Sequence, residues 1–159
     1  MTILVTGAAG FIGSNFVLDW FDKSEEGIVS FRGIFRGLHY QLTPHAQGKL
    51  VRVIQCKVLD IKVDIRQSSP SFGQYFAEIL SSDNKKQLHI PEGFAHGFLT
   101  LSDTSEFLYK TTDFYHPETE RCILWNDGTL NIQWPEGLKI ELSSKDILEQ
   151  SFKSSSLFP

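Results

Sequence analysis

Two of the five histidines in this 159-residue chain stand in strings that could carry chemistry, one of them where an imidazole could move a proton. His39 lies in Arg36-Gly37-Leu38-His39-Tyr40-Gln41, beside an arginine and a glycine in a stretch of alternating polarity. An imidazole titrates near neutrality, so His39 reads equally as a general base or as a satisfied structural histidine. His96 sits in Pro91-Glu92-Gly93-Phe94-Ala95-His96-Gly97-Phe98, a Pro-x-Gly-x-x-His pattern. His45, His89 and His116 neighbour turns or polar residues and read as surface or structural groups. No His-x-His string occurs, which disfavours a metal site built on that spacing. Cys56 and Cys122 lie outside any Cys-x-x-Cys or zinc spacing and read as two buried thiols in a reducing compartment. A different chemistry is suggested near the start by Gly7-Ala8-Ala9-Gly10-Phe11-Ile12-Gly13, whose missing Cβ atoms would let a backbone approach a pyrophosphate at a helix N-terminus. A working dinucleotide site also needs an acidic residue ending a second strand and further βα units, and these are missing.

The elements that must position these groups fall into two unequal parts. Ile3-Leu4-Val5 reads as a short strand, followed by the glycine turn and an amphipathic helix through Phe16, Val17, Leu18, Trp20 and Phe21. From about Ser30 the period becomes two: Ile61, Val63 and Ile65 alternate with Asp60, Lys62, Asp64 and Arg66, which read as one polar face of a strand. Turn clusters at Ser68–Gly73, Ser81–Lys86, Pro91–Gly93, Ser102–Ser105, His116–Glu120 and Asn126–Thr129 recur roughly every 10 to 15 residues, the rhythm of an all-β sandwich or barrel. We therefore expect a fragment over residues 1–29, too small to enclose a core and obliged either to lean on its neighbour or to remain partly mobile, and a β domain over 30–159. Ser151–Ser156 reads as a loose end. With 15 basic and 19 acidic residues the net charge is −4, which gives no general attraction for nucleic acid. Hydrophobic residues at 41% and charged ones at 21% exclude a disordered chain. Apolar runs end short of a membrane span, and Met1 to Phe21 has no basic residue before its apolar part, so we expect a cytoplasmic protein with no membrane partner.

Residues 1–29 resemble the opening of nucleotide-sugar short-chain dehydrogenases such as dTDP-glucose 4,6-dehydratase, without that family's Tyr-x-x-x-Lys pair. The Pro91–Phe98 string resembles the second cupin motif. Together with Arg36–Gln41, Gln47–Arg52, Val63–Arg66, Ser69–Gly73, Glu106–Lys110 and Trp125-Asn126-Asp127, it makes residues 30–146 similar to dTDP-4-dehydrorhamnose 3,5-epimerase. The resemblance implies a cupin-like jelly roll, all-β apart from a strand-helix appendage at the start and a short C-terminal helix. It further implies a homodimer acting on a dTDP-4-keto-6-deoxy sugar without metal or organic cofactor. His39 matches the family's base, Asp146 the carboxylate that orients it, Tyr109 the acid on the far side and Lys49 the cation beside the carbonyl oxygen. Arg36 matches a diphosphate-binding residue, Tyr115 the aromatic that stacks on thymine, and His96 and Glu120 further polar substrate contacts. Unaided, Asp146 reads as a helix cap, Tyr109 as a core aromatic and Lys49 as a solvated lysine. Two departures stand out: the family's first strand region is replaced by the dehydratase-like piece, and His89 stands where tryptophan is usual. Arg32-Gly33-Ile34-Phe35-Arg36 imitates the opening of the replaced region but lacks its glutamate. The competing readings are a dTDP-sugar-binding cupin with impaired turnover, a single-carbon epimerase, and an NAD-dependent oxidoreductase resting on the glycine-rich start alone.

Overall fold

A computed structural model describes residues 4–5, 24–142, 146 and 150–159. The described strands are β1 (Leu4–Val5), β2 (Ser24–Phe31), β3 (Ile34–Gln41), β4 (Lys49–Gln55), β5 (Lys57–Asp64), β6 (Tyr75–Ser81), β7 (Gln87–Ile90), β8 (Phe94–Thr100), β9 (Thr104–Thr111), β10 (Glu120–Cys122) and β11 (Glu141–Leu142). They form a sheet ordered β1-β7-β4-β9-β2 and a sheet ordered β10-β3-β8-β5-β6. Neighbours along both orders are antiparallel, and β11 adds to β3 in parallel. The expected all-β sandwich is thus observed. The expected glycine turn and first helix lie outside the described residues. β1 lies against β7, with Leu4 opposite Leu88, and β2 pairs with β9 along its whole length. The expected junction at residue 30 falls inside that continuous strand.

The period-two pattern of β5 explains both cores. Ile61, Val63 and Ile65 turn to the far face of the second sheet, where Ile123, Leu130, Ile132, Trp134 and Phe152 cover them together with Phe35, Leu38 and Tyr40 of β3. Val58 turns the other way and meets Leu80, Phe94 and Phe98 of its own sheet and Val51, Leu88, Ile90 and Phe107 of the first sheet. The polar face expected at Asp60, Lys62 and Asp64 is therefore turned inward between the sheets, and all three residues are buried. Burying ions is costly unless they are paired. Asp64 accepts from Arg66 Nε (2.9 Å) and Nη2 (2.6 Å) and from the hydroxyls of Ser69 (2.6 Å) and Ser71 (2.7 Å). Lys62 donates to the His89 carbonyl (3.3 Å) with its ammonium over Phe76 and Phe94. Burial holds this lysine down at about 8.

Among the described residues the C-terminal segment contributes a 3-10 turn, Phe152–Ser154, and the stretch before it, where a short helix is expected, lies largely outside the described residues. The serine-rich end, expected to be loose, is tied down: Phe152 is buried and its N–H donates to Asp127 (2.8 Å), Tyr40 donates to the Ser156 carbonyl (2.6 Å), and Phe158 bridges to Arg66. A single apolar side chain with a well-placed acceptor anchors what serine composition alone would leave mobile. The two cysteines are half-buried and not joined in a disulfide, more open than expected, because Cys56 lies in the link between β4 and β5 and Cys122 ends β10.

The link from fold to site is a register shift. β3 and β8 pair as Phe35 with Leu99, Arg36 with Phe98, and then His39 with His96, so β3 carries one extra residue. Without that bulge, Arg36 and His39 would face opposite sides; with it, both turn inward. Gly37 permits this at φ +131°, where a Cβ would lie 2.4 Å from Gly97 Cα. Adding a methyl at Gly97 would place it 2.7 Å from the Arg36 carbonyl and 2.9 Å from the Phe35 ring. Gly97→Ala is expected to destabilise the chain by about 1–3 kcal/mol in urea titrations, whereas Gly128→Ala, into open space, leaves the midpoint unchanged. Burial alone would raise the Asp64 carboxyl, but the Arg66, Ser69 and Ser71 hydrogen bonds outweigh it and hold it well below the usual carboxylate range. A depressed carboxyl contributes stability above the ordinary carboxylate range that is lost as pH falls toward its native value. Asp64→Asn is expected to flatten that acid limb in unfolding measured against pH.

Candidate active site

Between the sheets lies a cavity of about 310 Å³, and all eight residues expected from the sequence line it. β3 supplies Arg36 and His39, β8 supplies His96, β4 supplies Lys49, and β9 supplies Tyr109. Tyr115 comes from the segment after β9, Glu120 from the start of β10, and Asp146 from the C-terminal stretch. His39 and Tyr109 thus belong to opposite sheets and face one hollow.

His39 Nε2 lies 2.6 Å from Asp146 Oδ1, across 107 positions of sequence, and the carboxylate is fully buried. An ionised carboxylate only accepts, so Nε2 carries the hydrogen and Nδ1 holds the free lone pair. Nδ1 is buried, has no hydrogen-bond partner among the described residues and lies 3.5 Å from Glu120 Oε1. An imidazole with one nitrogen tied to a carboxylate and the other unclaimed can remove a proton from a bound molecule. The unaided reading of Asp146 as a helix cap gives way to this pairing.

A second histidine–carboxylate pair sits deeper. His96 Nε2 is 2.9 Å from Asp60 Oδ2, and both side chains are buried. Burial pushes His96 below the usual histidine range more strongly than Asp60 raises it, so the neutral ring is favoured. Asp60 is the site residue that sequence reasoning left as part of a polar strand face. No local signal marks it, since the alternation of β5 separates Leu59, Ile61 and Val63 from Asp60, Lys62 and Asp64 without showing that the second set is also covered. Lys49 reaches the wall of the cavity, where desolvation lowers its ammonium against the pull of Glu120 and Asp60. Tyr115 stands half-exposed, donating to Glu120 Oε2 at 2.7 Å, and that bond pushes the phenol up to about 12. Apolar lining comes from Ile28, Phe98 and Phe107. Among the described residues, His39, Cys122 and Asp146 also bring donor atoms within 4.8 Å of one another, although the imidazole and carboxylate of that set are already joined to each other.

The family model for dTDP-4-dehydrorhamnose 3,5-epimerase matches residues 15–154. Enzymes of that name from Shigella flexneri and Pseudomonas aeruginosa are each 55% identical, over 81% and 82% of this chain and 71% of their own lengths. The crystal structure of dTDP-6-deoxy-D-glucose-3,5-epimerase from Legionella pneumophila, in complex with dTDP-4-keto-L-rhamnose, is 47% identical with a TM-score of 0.80, covering 84% of this chain and 70% of that one. A 3'-monoepimerase from Streptomyces bikiniensis in complex with dTDP-quinovose is 26% identical with a TM-score of 0.81, covering 96% and 82%.

Because burial is the main cause of the Lys49 shift and Glu120 opposes it, the two effects are separable. The Lys49 ammonium is expected to deprotonate at lower pH than the exposed lysines in ¹³C-lysine NMR titrations, and Glu120→Gln is expected to lower it further. Titration together with the surface lysines would contradict this assignment.

Proposed function

The chain belongs to the dTDP-4-dehydrorhamnose 3,5-epimerase family, and on that premise we propose that it inverts C3 and C5 of dTDP-4-dehydro-6-deoxy-D-glucose, giving dTDP-4-dehydro-L-rhamnose. Both hydrogens are α to the C4 carbonyl, so each can leave as a proton if the enolate is stabilised. His39 Nδ1 removes the proton, and the developing imidazolium is held by Asp146 through Nε2. Lys49 faces the enolate oxygen, where a compact ammonium gains most as charge develops. Tyr109 returns a proton from the opposite sheet, which inverts the carbon. Neutral His96, with Nε2 committed to Asp60, offers Nδ1 as an acceptor for a sugar hydroxyl. At the mouth, Arg36 takes the diphosphate, Tyr115 stacks on thymine, and Glu120 braces the tyrosine.

The observation that supports this reading is an imidazole, backed by a buried carboxylate, that lines one cavity with a phenol from the opposite sheet. The reading includes a homodimer in the cytoplasm. β2 is the outer strand of its sheet and exposes Val29 and Phe31, an apolar edge suited to a second copy. It also takes residues 1–29 as a dehydratase-like start with no part in the proton transfers. The Streptomyces bikiniensis likeness favours one alternative, inversion of a single carbon.

In deuterium oxide the wild-type chain is expected to label both C3 and C5 of the substrate and to give the doubly inverted product by NMR. His39→Ala is expected to slow exchange by about 100-fold or more, and Tyr109→Phe to retain exchange while losing inversion. Label and inversion at C3 alone would select the single-carbon reading. No label from folded wild-type protein would reject epimerisation.

A further inference from the structure

We propose a second site on this chain, a divalent transition-metal site at the rim of the cavity formed by His45, Asp113 and His116. His45 lies in the turn that follows β3, and its N–H donates to the Leu42 carbonyl (3.0 Å). Asp113 and His116 lie in the segment that follows β9. Two glutamine amides lock these segments together. Gln41 donates to the His45 carbonyl (2.7 Å) and the Phe114 carbonyl (3.1 Å) and accepts from the His116 N–H (2.8 Å). Gln47 donates to the Asp113 and Phe114 carbonyls at 2.8 and 3.0 Å.

This framework stacks the two imidazoles face to face, with centroids 3.4 Å apart and planes 13° apart. His45 Nδ1 lies 3.1 Å from Asp113 Oδ2, and one donor atom from each of the three residues falls within 4.8 Å of the others. Glu118 Oε1 adds a further carboxylate 3.1 Å from His116 Nδ1. All three proposed ligands are half-buried, so a cation can enter from solvent without passing the catalytic groups.

Two imidazoles and a carboxylate are a donor set for zinc, nickel or cobalt. Bonds to zinc need nitrogen at about 2.0–2.1 Å, so the donors must converge, and rotation about the soft χ2 of each ring turns the parallel lone pairs toward one point. A metal requires the neutral rings, so affinity rises with pH as bound protons are released. The metal joins the turn after β3 to the segment carrying Tyr115 and uses none of His39, Lys49, Tyr109 or Asp146, so the site stands independently of the proposed reaction.

Tag-free, chelator-treated full chain titrated calorimetrically with Zn²⁺ or Ni²⁺ is expected to bind one equivalent and to melt at a higher temperature when loaded. His45→Ala and His116→Gln are each expected to weaken binding by about tenfold or more, with circular dichroism confirming that the variants remain folded. Cys122→Ser is expected to leave binding unchanged, and Cu²⁺-loaded wild type to show coupling to two imidazole nitrogens by electron paramagnetic resonance. Binding by the His45→Ala/His116→Gln double variant as tight as by wild type would overturn the proposal. Loss of binding in Cys122→Ser with retention in His45→Ala would likewise overturn it, because the metal would then sit at His39 and Asp146.

Discussion

Gly37 and Gly97 back onto each other with no room for a side chain, and the wall of the cavity that carries His39 depends on that approach. The extra residue it accommodates in β3 turns Arg36 and His39 inward while Phe35, Leu38 and Tyr40 stay in the outer core. Those three apolar side chains need a cover, and the chain from Ile123 onward supplies it. Leu38 and Ile123 exchange backbone hydrogen bonds at 3.4 and 3.1 Å, and the Glu141 N–H donates to the Gly33 carbonyl at 2.9 Å. The same C-terminal stretch that closes the hydrophobic layer therefore carries Asp146 back to His39. Packing on one face of β3 and acid–base pairing on the other share one cause.

The interior between the sheets holds more charge than a core ordinarily carries. Asp60, Lys62, Asp64 and His96 are all buried there. Each of these costs free energy unless a partner meets it, and removal of one partner leaves the other uncompensated. Asp64 has four donating groups and is a structural tie. Asp60 is less complete: Oδ2 meets His96, and Oδ1 has no hydrogen-bond partner among the described residues. Asp60 Oδ1 and His39 Nδ1 are thus buried atoms left short of hydrogen-bond partners among the described residues.

The sequence made the strand rhythm, the turn positions and the two informative histidines readable, because period two and glycine-bearing motifs are local signals. The family likeness added Lys49, Tyr109 and Asp146, each of which looks ordinary where it stands. What local signals could not carry is long-range: the partnership of Asp146 with His39, 107 positions away, came only with the family likeness, and the meeting of Asp60 with a histidine 36 positions away stayed hidden. The inward turn of the β5 polar face could not be read from alternation, since alternation separates two faces without saying which is wet. Ser151–Ser156 misled for a related reason: composition registers its hydroxyls but not the Asp127 acceptor that fixes Phe152.

The division of labour between the sheets bears directly on the proposed reaction. Inversion at carbon requires proton removal and return on opposite faces of the sugar ring, and groups on a single wall could not serve both. A sandwich with His39 on one sheet and Tyr109 on the other separates the two sites by construction. The apolar contribution of Ile28, Phe98 and Phe107 thins the water between those walls, so a charge placed there is felt more strongly than in solvent. Lys49 illustrates the consequence. Desolvation makes its ammonium less comfortable in the resting cavity than in water. In the proposed reaction the same desolvation would strengthen its attraction for an enolate oxygen, which carries full charge only as the proton leaves. An interaction weak toward the ketone and strong toward the enolate lowers the barrier without deepening the ground state, which is what differential binding requires.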